Sequence, residues 1–99
     1  MALAFAAMPG IAHAVVLTVD TSSDASLSAC TAAAGDCSLR GAIIAANNAA
    51  GGDRIEFDIP PTDPGFVPAS SHWRIEAASS MPDNAGDLEI DGYSQPGAQ

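Results

Sequence analysis

Apolar and polar positions alternate along this chain in short bursts, separated by stretches rich in Pro, Gly, Ser and Asp. The first burst, "VVLTVD" at residues 15–20, alternates and is rich in β-branched side chains, which predicts a strand. "TSSDASLSACTAAAGD" follows as a loop of small and polar residues. The period then changes: Leu39, Ala42, Ile43, Ala46 and Ala50 fall on one arc of a helical wheel, with Ile44 off it. Ser38 stands at the start as an N-cap, because its hydroxyl accepts from a free backbone N–H of the first turn. Asn47-Asn48 and Gly51-Gly52 tolerate the left-handed conformation of a helix end, so the helix is predicted to stop between them. Such a short, alanine-rich helix is not stable alone, and its thin apolar face must lie on something else.

After Gly52 the alternation returns. "DRIEFDIP" puts Ile55, Phe57 and Ile59 on one face and Arg54, Glu56 and Asp58 on the other. "PTDPGFVPASS" has too many prolines for extended regular structure. "HWRIEA" then repeats the pattern with Trp73, Ile75 and Ala77 inward, and "DLEIDG" with Leu88 and Ile90 inward. The spacing between these strands is too long for tight hairpins and suits parallel strands stacked as successive turns of a solenoid. On periodicity alone, a small irregular antiparallel β-sandwich is the alternative.

Composition narrows the compartment and the partners. Ninety-nine residues make one domain at most, and 12 acidic side chains against 3 basic ones give a formal charge of -9. Such a chain repels phosphate backbones and anionic lipid headgroups, which argues against nucleic acid and membrane-surface partners. Residues 1–14, "MALAFAAMPGIAHA", are apolar and end in the small-x-small pattern of a secretory cleavage site, with cleavage after Ala14. No Lys or Arg precedes the apolar stretch, which points to a start inside a longer leader. The segment is too short to span a bilayer. Cys30 and Cys37 enclose "TAAAGD", and in an oxidising compartment such a pair reads as a structural disulfide. Zinc needs more ligands than lie nearby, and redox pairs favour two intervening residues.

Three segments, "CSLRGAIIAAN", "GGDRIEFDI" and "LEIDGYSQPGA", occur in an order that resembles the N-terminal region of secreted bacterial proteins known for a Cys-Ser-Leu-Arg-Glu-Ala motif. The likeness spans essentially residues 15–99. It implies a mainly β fold: an N-terminal cap made of the first strand and the helix, followed by the opening coils of a right-handed parallel β-helix. It also implies a structural role in a secreted or surface-exposed protein of adhesin or passenger type, with no catalysis in this chain and no cofactor. The partners implied are downstream coils of the same protein, and beyond them extracellular surfaces or carbohydrate. An N-terminal piece of a polysaccharide-active lyase or hydrolase is the alternative. The family's glutamate is Gly41 here. Ser-x-x-Glu is a capping box, in which the glutamate reaches back to the N-cap amide, so Gly41 predicts a weaker helix start. Arg40 is expected to be a solvated charge beside one of many acids. The chain supplies one to two coils and ends in "SQPGAQ", whose Pro-Gly step favours a turn leading onward, so it is expected to be part of a larger protein.

Candidate chemistry is sparse. Asp87, Glu89 and Asp91 share one strand face and are weak candidates for calcium, which takes several carboxylate oxygens. Their spacing does not match a calcium-binding loop, and a solvated strand face is the simpler reading. His72 beside Trp73 raises sugar stacking, against a packing role for the tryptophan. No serine has a nucleophile motif around it, and no phosphate-cradling glycine loop occurs.

Overall fold

A computed structural model describes residues 15–49, 52–83 and 88–97. The leader reading of residues 1–14, and the positions Ala50, Gly51 and Asp87, lie outside these. The regular elements among the described residues are mostly short strands, with one α-helix: β1 (Val16–Val19), α1 (Leu39–Asn47), β2 (Asp53–Phe57), β3 (Phe66–Val67), β4 (His72–Trp73) and β5 (Leu88–Ile90). A short 3-10 turn, Gly92–Ser94, follows β5. Among the described residues no closed barrel forms, and no helix is long and apolar enough to cross a membrane.

The main sheet has three strands in the order β1-β2-β5, all parallel. Its register sets Leu17 beside Ile55 and Ile55 beside Ile90, so one aliphatic row runs across the sheet on its inner face. Val19 and Phe57 make a second pair on that face. Period-2 alternation puts Leu17 and Val19 inside while Val16 and Thr18 stay exposed. Exposure along the aliphatic row is 8% at Leu17, 0% at Ile55 and 50% at Ile90, so the row is covered at β1 and β2 and open at β5.

Helix α1 closes the covered end. Its buried residues Ala42, Ile43 and Ala46 lie against β1 and β2 and join Leu17, Val19, Ile55 and Ile59 in the core, while Ile44 stays half-buried off that face. Small side chains on the helix let it approach the sheet closely. The helix ends at Asn47, within the first of the two predicted stop signals rather than between them; Asn48 keeps a right-handed conformation (φ −94°) and its amide turns back to the Ala45 carbonyl at 3.1 Å.

One predicted strand belongs elsewhere. "HWRIEA" does not join the parallel stack; only His72–Trp73 is strand, paired antiparallel with Phe66–Val67. The prolines at 60, 61, 64 and 68 lack ladder donors, and Asp63 organises a reversal between them. Its carboxylate accepts from the Gly65 amide at 2.7 Å and its carbonyl from the Phe66 amide at 3.0 Å. That reversal brings Phe66 opposite Trp73, with ring centroids 4.8 Å apart. Ala77 is exposed and Ile75 half-buried, so the inward face predicted for this segment is only partly covered.

Candidate functional site

Two regions gather the chemistry-bearing side chains: the fastening before α1 and the open end of the sheet. In the first, Cys30 and Cys37 form a disulfide with their Cα atoms 4.3 Å apart. The loop they close is tied to the end of β1, since Asp20 accepts from the Cys37 amide at 3.0 Å and from the Gly35 amide at 2.9 Å. The Asp20 amide in turn donates to the Cys37 carbonyl at 3.0 Å.

Ser38 is fully buried and serves two segments at once. Its hydroxyl accepts from the Gly41 amide at 2.9 Å, capping α1, and donates to the Ala25 carbonyl of the preceding loop. Gly41 is not the weak point that the capping-box comparison predicts. The Ser38 amide, which a capping-box glutamate covers, donates instead to the Leu27 carbonyl at 3.1 Å. A Cβ on Gly41 would lie 1.8 Å from that carbonyl oxygen, so only glycine lets the loop backbone dock on the first helical turn. The backbone supplies the acceptor that the side chain lacks.

Arg40 is likewise not a solvated charge. Its side chain is only 12% exposed and forms a two-pronged pair with Asp24, Nε to Oδ1 at 3.2 Å and Nη2 to Oδ2 at 3.1 Å. The same guanidinium donates to the Ser79 carbonyl at 3.0 Å and the Ser80 carbonyl at 2.9 Å. Asp24 also accepts from the Ala78 amide at 2.9 Å. That amide, together with Arg40, holds the Asp24 carboxyl below the usual aspartate range. Helix, loop and the 78–80 segment thus meet on one ion pair.

At the open end, Asp87 lies outside the described residues, and a protein cation stands beside the other two calcium candidates, Glu89 and Asp91. Arg54 lies beside Glu89 in register and bonds to it at 2.8 Å, to Glu56 at 2.8 Å and to Asp91. The hydrogen bond that Arg54 donates to Glu56 and the charges of Glu89 and Asp91 raise the Arg54 pKa further. Among the described residues, no group of three His, Cys, Asp or Glu side chains could hold a metal ion.

The "SQPG" segment carries a role that the turn signal alone did not reveal. Asp91 caps the 3-10 turn by accepting from the Tyr93 amide at 3.1 Å. Ser94 then accepts from the Phe57 amide at 2.8 Å. The Gln95 carboxamide pairs with both backbone groups of Ile59, accepting at 2.7 Å and donating at 2.9 Å. Two side chains therefore stand in for strand pairing where β5 has ended and the β2 segment still runs on.

His72 and Trp73 line a cleft of about 350 Å³ with Phe57, Ile59 and Ile75. Trp73 is half-buried, and its indole N–H donates to the Pro60 carbonyl at 3.1 Å. His72 is exposed, its Nδ1 bonded to the Ser70 hydroxyl. No buried side-chain polar atom among the described residues is left without a partner. No family model, no curated protein and no solved structure matches this chain.

Proposed function

We propose that this chain is the N-terminal cap and the opening coils of a secreted or surface-exposed parallel β-helix protein of adhesin or passenger type. Its task is structural, and its partners are further coils of the same protein. The observation that carries this reading is the in-register row Leu17, Ile55 and Ile90, shielded by α1 at one end and half-exposed at the other. A cap covers the apolar end of a solenoid and prevents strand addition there, while the opposite end must stay receptive. The resemblance to the Cys-Ser-Leu-Arg-Glu-Ala proteins supports the same division, and the Cys30–Cys37 disulfide accords with export.

The reading predicts that residues 15–99, produced without further coils, self-associate through β5 as concentration rises. Sedimentation of that segment and of its Ile90→Lys variant tests it. Association abolished by the lysine supports the reading; a concentration-independent monomer with a cooperative thermal transition contradicts it.

A further inference from the structure

We propose that the cleft between β4, the end of β2 and the Gly92–Ser94 turn is a binding site for a neutral sugar ring, stacked on Trp73. Its volume, about 350 Å³, lies at the small end of the ~300–1,000 Å³ typical of small-molecule sites. The apolar wall consists of Phe57, Ile59, Trp73 and Ile75, and the rim carries Ser70 and His72. A pyranose has the matching character, an apolar face of C–H groups and an edge of hydroxyls.

Trp73 is held as a platform before any ligand arrives. The bond from its indole N–H to the Pro60 carbonyl fixes the ring plane, and Phe66, which does not line the cleft, packs 4.8 Å away. A rigid aromatic contributes contact area at small entropic cost. At the rim, the Ser70 hydroxyl orients the His72 ring through Nδ1, which leaves Nε2 for a sugar hydroxyl. Ser71, between them, adopts the left-handed conformation at φ 52° and turns the hairpin tip so that both side chains border the cleft. Gln95, also in the wall, is committed to Ile59 and serves as floor.

Charge selects the class of sugar. Among the described residues, the lining contains no Lys, Arg, Asp or Glu, and the chain carries a net charge of -9. Uronic acids, sulfated sugars and nucleotides are therefore disfavoured relative to neutral hexoses. Gly92 lines the cleft, and a Cβ there meets nothing within 4 Å, so a larger side chain has room at this position.

Trp73 is the sole tryptophan, so its fluorescence reports on the site directly. The full chain is titrated with neutral hexasaccharides of β-glucan, chitin, α-glucan and mannan, and with an oligogalacturonate of equal length. The expected result is a saturable change with at least one neutral oligomer and at least ten-fold weaker binding of the acidic one. Gly92→Leu, which adds bulk at a lining position where a Cβ meets nothing, is expected to weaken the neutral ligand at least ten-fold with an unchanged far-ultraviolet spectrum. If that variant loses its fold, His72→Ala takes its place with the same expectation. No saturable change with any neutral oligomer up to millimolar concentration overturns the proposal. So does equal binding of the acidic oligomer, or a folded variant that binds like the parent. Sugar binding and strand association are read separately, so either proposal can fail alone.

Discussion

At Gly41, helix propensity and tertiary fit point in opposite directions. A glutamate there would raise helix propensity and complete a capping box, yet the Leu27 carbonyl occupies its Cβ position at 1.8 Å and already accepts from the Ser38 amide. Gly41→Glu is therefore expected to destabilise the chain by about 2 kcal/mol or more, because the clashing atom is backbone and the loop must lift away. A lower urea midpoint than the parent's bears this out; a higher one would show that the loop yields freely. Asp24 gives the second residue-scale prediction. The Ala78 amide and Arg40 depress its folded pKa below the unfolded value, so its contribution is fully present above about pH 4 and is lost as pH falls through the lower folded value. Asp63 acts in the same direction: burial pushes its carboxyl up, but hydrogen bonds from Ser22, Gly65 and Thr21 outweigh that and lower it. Stability measured from pH 5 to pH 2 is expected to fall less steeply in Asp24→Asn than in the parent. Identical slopes would mean that the ion pair does not fasten the loop.

Among the elements, the disulfide loop and the sheet differ in what their loss should do. The bridge closes a loop of eight residues counting both cysteines, worth about 2 kcal/mol through the unfolded chain. Reduction is thus expected to lower the thermal midpoint while leaving the far-ultraviolet spectrum near the parent's, since the bonds of β1 to β2 do not pass through it. Collapse of the spectrum on reduction would instead make the loop a condition of folding. Within the sheet, Ile55→Ala is expected to cost about 3 kcal/mol, since Ile55 is fully buried, and Ile90→Ala less than about 1 kcal/mol, since half of Ile90 faces solvent. Equal losses in urea titrations would mean that something covers β5. The elements themselves were partly legible in the sequence. Alternation marked β1, β2 and β5, and Ser38 marked the helix start, because those signals depend only on which face is buried. "HWRIEA" misled because alternation specifies a half-covered strand but not its partner, and the partner was set by the turn at Asp63. Arg40, Gly41 and Gln95 were misread or missed for a related reason. Each acts on a segment 14 or more residues away, at Asp24, Leu27 and Ile59, and composition does not encode such distances.

Over the whole molecule, the two ends of the sheet are unlike. One carries α1, a buried serine, a disulfide and an ion pair that gathers three segments. The other ends in β5, with an exposed Ile90 and a side-chain ladder from Ser94 and Gln95 that closes only the last part of β2. Successive residues of a parallel strand direct their amides to opposite sides. The Asp91 amide bonds to the Ile55 carbonyl at 2.9 Å, so that of Ile90 points to the free side of the sheet. Hydrogen exchange of individual amides by NMR, at a concentration where the chain is monomeric, tests this asymmetry most directly. Slow exchange is expected at Asp91 and fast exchange at Ile90, two neighbours differing by at least ten-fold. Equal protection at both would mean that β5 is already paired on each side, and would contradict a cap built at one end to leave the other receptive.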